Sequence, residues 1–210
     1  MQRIIPAILT SDPIDLRKKL EFLKGHTNWV QIDIMDGKFV PNASVSIFEL
    51  GEAYEYFNLE LHLMVENPEQ YFQDCDGAGA KRVFFHYEAA PNLQETLAKA
   101  KQHQFHIGLA LNPTTDVKSV TPYLKEIDSV LVLAVNPGFQ GQEFIPSVLQ
   151  KVKEIRELSP EILIGIDGGI NESNIKQVFS TKIDYAAVGS GIWNTGNPLE
   201  TLKKLGEMVQ

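Results

Sequence analysis

The sequence predicts an α/β fold, a single (β/α)8 TIM barrel made by residues 1–210. Short runs rich in Ile, Val, Leu and Phe recur roughly every 26 residues, and each is followed by a turn signal and a segment with helical spacing. Eight such runs are present, whereas the competing layout, an open doubly wound sheet, more often has roughly five to seven strands. No linker or low-complexity tract divides the chain, so one domain is expected.

Each apolar run is interpreted as a buried parallel strand, because strands covered by helices are apolar on both faces. The segment between consecutive runs has room for one helix, which is the crossover that parallel strands require. The predicted strands are, in chain order, Arg3–Leu9, Trp29–Met35, Leu59–Val65, Arg82–Tyr87, His106–Asn112, Ser129–Asn136, Ile162–Gly168 and Tyr185–Gly189.

Helix starts are marked where a capping side chain precedes a proline, because proline suits the first helical position. Such pairs are Asp12-Pro13, Asn67-Pro68 and Asn197-Pro198. Helices are also predicted where apolar residues lie three or four positions apart and charges occupy the other face. These segments are Ile14–Lys24, Asn92–Lys101 and Ser147–Leu158.

Composition and charge exclude several classes of function. The chain has 27 acidic and 19 basic residues, a net charge of −8, so it has no basic surplus for nucleic acid or anionic membranes. The single cysteine, Cys75, excludes an intrachain disulfide and a Cys-based zinc site. The segment Met1–Asp12 lacks the long apolar core of a secretory signal, and no apolar stretch reaches the roughly 20 residues that span a bilayer. A cytoplasmic location is therefore expected.

Polar side chains occur at the ends of three predicted strands, where a barrel of this kind carries its chemistry. Residues two apart share a face of a strand, so Gln31 and Asp33 point together into the lumen, whereas Asp36 fits a loop-capping role. The third strand carries His62 and the seventh ends in Asp167. Each residue alone is weak evidence. Three polar groups that converge on one lumen are costly to bury unless a metal or a substrate compensates them.

Glycine-rich loops follow the last three predicted strands, at Asn136–Gln142, Asp167–Gly169 and Val188–Gly191. Small residues let backbone N–H groups approach an anion, and barrels often bind phosphate with the loops after strands seven and eight. An isolated glycine pair usually means only a turn. Three clusters on consecutive strands predict phosphate binding that needs no basic side chain.

The ordered motifs resemble those of the ribulose-phosphate 3-epimerase family from Ile5 to Trp193. They are Ile34-Met35-Asp36-Gly37 with Phe39-Val40-Pro41-Asn42, His62-Leu63-Met64-Val65, His86 with Glu88, Asn136-Pro137-Gly138-Phe139, Phe144-Ile145-Pro146 and Asp167-Gly168-Gly169-Ile170-Asn171. The resemblance implies a (β/α)8 barrel that interconverts D-ribulose 5-phosphate and D-xylulose 5-phosphate by inverting C3. It also implies one divalent metal ion, either Zn²⁺, Mn²⁺, Mg²⁺ or Fe²⁺. For His86 and Glu88, a supporting hydrogen-bond role fits at least as well as direct chemistry.

The resemblance also implies roles for individual positions. Asp33 and Asp167 match the two aspartates that exchange the proton on opposite faces of the sugar. The metal ligands match Asp33, His62 and Asp167, with a fourth ligand position at Gln31. The positions matched to substrate binding are His62, Gly138, Phe139, Gln140, Gly141, Gly168, Gly169, Gly189 and Ser190.

Four positions depart from the family pattern. Gln31 replaces a metal-binding histidine, Ala7 a substrate-contacting serine, Gln140 a glycine and Leu133 a methionine of the shielding set. A carboxamide oxygen is a harder and weaker ligand than an imidazole nitrogen. Gln31 is therefore expected to lower the affinity for zinc and to favour Mn²⁺ or Mg²⁺, or to leave the site metal-free.

Several functions remain open at this point. Epimerisation beside a ketone needs two opposed acid/base groups, which Asp33 and Asp167 supply if one is ionised and the other protonated. A phosphosugar decarboxylase or aldolase would need a lumen lysine, and only Lys38, in the loop after the second strand, lies near. The alternatives are a sugar-phosphate-binding paralogue weakened by Ala7 and Gln31, or a 3-epimerase of a related ketose phosphate such as allulose 6-phosphate. A homo-oligomer is expected, since barrels of this size often pair.

Overall fold

Eight parallel strands close into a barrel in the computed structural model, which describes residues 2–210. Each strand pairs with the next along the chain, and the eighth returns to the first. The strands are β1 Ile4–Ile8, β2 Trp29–Met35, β3 Asn58–Met64, β4 Arg82–His86, β5 His106–Leu111, β6 Ser129–Leu133, β7 Leu163–Asp167 and β8 Tyr185–Val188. The predicted (β/α)8 barrel is confirmed over these residues, while Met1 lies outside them.

The helices of the described residues cover the outside of the barrel. They are α1 Pro13–Leu23, α2 Phe72–Gly77, α3 Leu93–Ala100, α4 Val117–Val120, α5 Val148–Leu158, α6 Ile175–Phe179, α7 Ser190–Trp193 and α8 Pro198–Met208. The connection from β2 to β3 consists of two short 3-10 turns, at Ile47–Leu50 and Ala53–Glu55, instead of an α-helix. No helix among residues 2–210 has the length and apolar character that crossing a membrane requires.

Two of the three predicted helix caps are confirmed. The Asp12 side chain accepts a hydrogen bond from the Ile14 N–H at 2.8 Å, and Asn197 caps α8 by accepting from the Glu200 N–H. Asn67 was wrongly predicted as a helix cap. It precedes only a 3-10 turn, its side chain makes no capping bond among the described residues, and α2 begins at Phe72.

The sixth strand also ends earlier than predicted, at Leu133 instead of Asn136. The apolar pattern runs on because Ala134 is still fully buried. Its N–H donates to the Asp167 carbonyl at 2.6 Å, and its own carbonyl accepts from the Ile145 N–H at 2.8 Å. Burial and backbone bonding thus continue past the regular ladder, so composition alone does not mark the strand end.

The floor of the barrel lumen contains a buried ion pair that the sequence pattern does not reveal. Glu60 Oε2 lies 2.8 Å from Arg82 Nε and accepts a hydrogen bond from the Tyr185 hydroxyl at 3.0 Å. The Arg82 guanidinium stacks 4.6 Å from the Trp29 ring. Gly165 is required beside this group, because a Cβ there would lie 2.4 Å from Tyr185. These side chains therefore fill the lumen near the starts of the strands, and the candidate site lies toward the strand ends.

Candidate active site

The strand register brings three candidate residues together above the floor. Asp33 on β2 lies opposite His62 on β3, and Gln31 lies two residues earlier on β2, opposite Glu60. Asp167 ends β7 across the lumen. One potential ligand atom from each of Asp33, His62 and Asp167 lies within 4.8 Å of the others. Asp33 is 8% exposed and His62 1%, so the polar cluster is largely removed from solvent.

The two carboxylates and the imidazole perturb one another. His62 Nδ1 lies 3.1 Å from Asp33 Oδ1 and 3.6 Å from Asp167 Oδ2. Burial opposes the charged imidazolium, but the hydrogen bond and charge of Asp33 outweigh it, so the pKa of His62 is raised. Burial first, and then the charge of Asp33, raises the pKa of Asp167 to about 7. Asp167 can therefore take either protonation state near neutral pH.

Gln31 bridges the two carboxylates. Its Nε2 donates to Asp33 Oδ1 at 2.9 Å and to Asp167 Oδ2 at 2.7 Å. Its Oε1 is buried and has no hydrogen-bond partner among residues 2–210. The carboxamide thus holds the pair of acidic groups together, and it still has an unused acceptor.

A second histidine backs the first. His62 Nε2 lies 2.9 Å from His86 Nε2, and His86 Nδ1 lies 3.3 Å from Glu88 Oε2. Burial lowers the pKa of His86 to about 4, which keeps this ring neutral. Burial raises the pKa of Glu88, but hydrogen bonds from His86 and Thr115 outweigh it, and that pKa is lowered overall. The sequence indicated a supporting role for His86 and Glu88, and the structure places them behind His62.

One cavity connects the acidic pair to the glycine-rich loops. It is lined by Asp33, His62 and Asp167 together with Gly138, Phe139, Gln140, Gly141, Gly168, Gly169, Gly189 and Ser190. Gly168 and Gly169 have φ of +110° and +65°, and a Cβ on Gly169 would lie 2.6 Å from the Phe144 backbone. None of the described residues that line the cavity is Lys or Arg. A phosphate in this cavity would therefore meet neutral donors.

The four departures from the family pattern also lie at this cavity. Ala7, Leu133 and Gln140 line it, and Gln31 lies between its two carboxylates. Gln140 Nε2 donates to the Leu9 carbonyl at 3.1 Å, which ties the loop after β6 to the end of β1. Ala7, Leu133 and Gln140 thus form part of the surface that a substrate in this cavity would contact.

Polar side chains hold the loops around the cavity, and the sequence analysis predicted no such role for Asn42 or Gln142. Asn42 Nδ2 donates to the Gly138 carbonyl at 2.8 Å, and Gln142 Nε2 donates to the Asn136 carbonyl at 2.7 Å. The position of Asn42 in the Phe-Val-Pro-Asn motif was the only signal for it. Asp36 accepts from the backbone N–H groups of Lys38 and Phe39, which agrees with its predicted loop-capping role.

Comparison with known proteins identifies the family to which the chain belongs. The profile of the ribulose-phosphate 3 epimerase family matches residues 3–193. The chain belongs to the ribulose-phosphate 3-epimerase family. The ribulose-phosphate 3-epimerase of Bacillus subtilis (strain 168) is 33% identical over 98% of each chain. That of Schizosaccharomyces pombe is 30% identical over 99% of this chain and 93% of its own.

Solved structures outside the epimerase family share the fold. Orotidine 5'-phosphate decarboxylase from Pyrococcus horikoshii is 15% identical with a TM-score of 0.72, over 98% of each chain. A 3-hexulose-6-phosphate synthase is also 15% identical with a TM-score of 0.72, over 99% of this chain and 100% of its own. At this identity the similarity concerns the barrel alone.

Proposed function

We propose that this chain is a ketose-phosphate 3-epimerase that interconverts D-ribulose 5-phosphate and D-xylulose 5-phosphate. Membership of the ribulose-phosphate 3-epimerase family supports this activity. The observation that carries the proposal is the pair Asp33 and Asp167, on β2 and β7, bridged by Gln31 at the base of a cavity with glycine-rich loops. The reaction is an isomerisation and consumes no co-substrate.

The two aspartates provide the proton transfers. An ionised carboxylate removes the C3 proton and leaves a flat enediolate, and a protonated carboxyl on the opposite side returns a proton to the other face. A reversible epimerisation requires each group to serve in either state. The pKa of Asp167, raised to about 7, suits that exchange because both of its states are accessible near neutral pH.

The cluster has the chemistry of a divalent metal site. Asp33 and Asp167 contribute carboxylate oxygens and His62 a ring nitrogen, all within 4.8 Å. Gln31 directs its Nε2 at the two carboxylates, so its buried oxygen would become a ligand only when the carboxamide turns over. Two carboxylates plus that neutral oxygen would favour a hard ion such as Mn²⁺ or Mg²⁺. A bound divalent ion would supply Lewis-acid stabilisation of the enediolate oxygens.

The remaining lining residues bind and shield the substrate. The backbones of Gly138–Gly141, Gly168, Gly169, Gly189 and Ser190 supply neutral contacts for the phosphate, as expected where no cation lines the described cavity. Met35, Met64 and Val40 form an apolar cluster beside the acidic pair. This cluster excludes water from the enediolate and so limits side reactions.

The experiment that tests this function follows C3 of ribulose 5-phosphate in D₂O by NMR, after chelation and then with Mn²⁺, Mg²⁺ or Zn²⁺. We expect deuterium at C3 together with xylulose 5-phosphate. As a matched control, Glu66→Gln changes a carboxylate in the exposed loop after β3 and should leave the rate unchanged. Tight binding without exchange under any ion would contradict catalysis and favour a binding paralogue. Faster exchange with allulose 6-phosphate would reassign the substrate.

Two further proposals concern the cell and the assembly. We place the protein in the cytoplasm, since its one cysteine is a buried free thiol and a rice relative at 33% identity is named a cytoplasmic isoform. We also expect a homo-oligomer, and sedimentation equilibrium checks this expectation. A monomer at micromolar concentration would contradict it.

A further inference from the structure

A chain of four side chains leads from the candidate active site to the neighbouring loop. It runs from Asp33 through His62 and His86 to Glu88, with contacts of 3.1, 2.9 and 3.3 Å. The His62 and His86 rings are fully or almost fully buried and stack with centroids 5.1 Å apart. Neither His86 nor Glu88 lines the cavity. The hydrogen-bonded route from these two residues to the acidic pair therefore runs through His62.

Glu88 is anchored at the far end of this chain. Its Oε1 accepts a hydrogen bond from the Asn112 N–H at 3.0 Å and another from the Thr115 hydroxyl. The loop that carries these donors is held by buried Lys151, whose Nζ donates to the carbonyls of Asn112 and Thr115. With donors already on one oxygen, Glu88 faces His86 with the other oxygen as an acceptor-only carboxylate.

The acceptor role of Glu88 determines which nitrogen of His86, and then of His62, donates each hydrogen bond. Because Glu88 Oε2 only accepts, His86 carries its proton on Nδ1 and leaves a lone pair on Nε2. A lone pair on His86 Nε2 requires His62 to donate from its own Nε2 across the 2.9 Å contact. His62 Nδ1 therefore faces Asp33 and Asp167, and in the metal-free protein it shares a proton with Asp33 Oδ1 across the 3.1 Å contact. A bound divalent ion would take the place of that proton. Three acceptors then point at one place, as a cation requires.

We propose that Glu88 and His86 are positioning residues that fix the tautomer of His62 and so make Nδ1 its metal-ligating atom. The metal part of this inference rests on the proposed function. Partners behind a ligating histidine commonly set its tautomer, and their loss lowers metal affinity by about 10- to 100-fold. In this protein the group that sets the His62 tautomer is the Glu88 carboxylate, and two imidazole rings separate it from Asp33.

The variant Glu88→Gln tests the inference because it reverses the donor and acceptor roles in the hydrogen bonds that run from residue 88 through His86 to His62. The introduced carboxamide keeps an oxygen for Asn112 and Thr115 and presents an NH₂ group to His86. His86 must then accept at Nδ1 and donate from Nε2, so His62 Nε2 becomes an acceptor and the only proton of His62 is on Nδ1. That proton occupies the ligand position but can bond to Asp33, 3.1 Å away, so the fold should survive.

Two measurements on the full-length protein detect the altered protonation of the two histidines without an activity assay. Long-range ¹H–¹⁵N NMR of the metal-free protein at neutral pH should show His86 protonated on Nδ1 in the native chain and on Nε2 in Glu88→Gln. Calorimetry with Mn²⁺ alone should show a dissociation constant raised about 10- to 100-fold in the variant. The conservative change Glu88→Asp keeps an acceptor and should restore the native tautomer. The control Glu66→Gln should change neither reading.

The inference is overturned if native His86 is protonated on Nε2, if Glu88→Gln leaves the tautomer unchanged, or if its Mn²⁺ affinity equals that of the native chain. The native spectrum alone decides the first point, even if the variant does not fold. A native chain that binds no Mn²⁺ would remove the metal from the proposed function and overturn the ligand assignment. A native chain that shows the expected tautomers but no C3 exchange would contradict the proposed function only.

Discussion

Replacing Gln31 with Met measures how strongly the carboxamide stabilises the charged form of the acidic pair. Met has a similar length but no N–H group, so Asp167 loses a hydrogen bond of 2.7 Å and Asp33 one of 2.9 Å. A hydrogen bond to a charged group contributes about 1.5–3 kcal/mol, and about 1.4 kcal/mol corresponds to one pKa unit. The bond favours ionised Asp167, so its loss should raise the pKa of Asp167 from about 7 by roughly one to two units.

The assay is a ¹³C NMR titration of side-chain carboxyls in the metal-free protein, with Asp167→Asn to identify the resonance. The matched control is Gln94→Met on α3, because Gln94 also donates to a carboxylate, that of Glu126, but on the surface. That control should leave the Asp167 titration unchanged. A shift below a few tenths of a unit, or a downward shift, in Gln31→Met would refute the bridging role of the carboxamide.

Three other substitutions give independent checks. Gln31→His should raise Zn²⁺ affinity relative to Mn²⁺ by about tenfold or more in calorimetry, since imidazole is the better zinc ligand; an unchanged ratio would contradict the fourth-ligand assignment. Gly169→Ala should lower the free energy of unfolding, measured in urea, by about 1–3 kcal/mol, because φ is +65° and the Phe144 backbone lies where a Cβ would be. A neutral result would show that the loop adapts. Glu60→Ala leaves Arg82 buried without its partner and should reduce stability by about 3–5 kcal/mol; an unaltered urea midpoint would argue against the ion pair.

The barrel could be predicted because its strands obey a local rule. Apolar runs such as Trp29–Met35 are buried on both faces, and the alternation along β2 places Gln31 and Asp33 together in the lumen. The strand ends were less predictable. Ala134 is as apolar and buried as the strand residues before it, and its N–H still bonds to Asp167 on β7, but its carbonyl accepts from Ile145 in the following loop. Composition reports burial, whereas strand assignment depends on hydrogen bonds to other segments.

The candidate site was predictable residue by residue but not contact by contact. Polar residues at strand ends indicated Asp33 and Asp167, and their meeting follows from barrel closure. The Gln31 bridge depends on residues 136 positions apart, and no local pattern encodes such a distance. The same holds for Glu60 and Tyr185 in the lumen floor, 125 positions apart. Pairings of this kind become visible only when the strand register is known.

The two single variants Asp33→Asn and Asp167→Asn test the opposed-base arrangement most directly, when each is given ribulose 5-phosphate and xylulose 5-phosphate separately in D₂O. Each variant keeps one acid/base group, so each should exchange the C3 hydrogen of only one substrate, the opposite one in the two variants, and neither should form the other epimer. Exchange of the same substrate by both variants, or continued epimer formation by either, would contradict catalysis from opposite sides of the lumen.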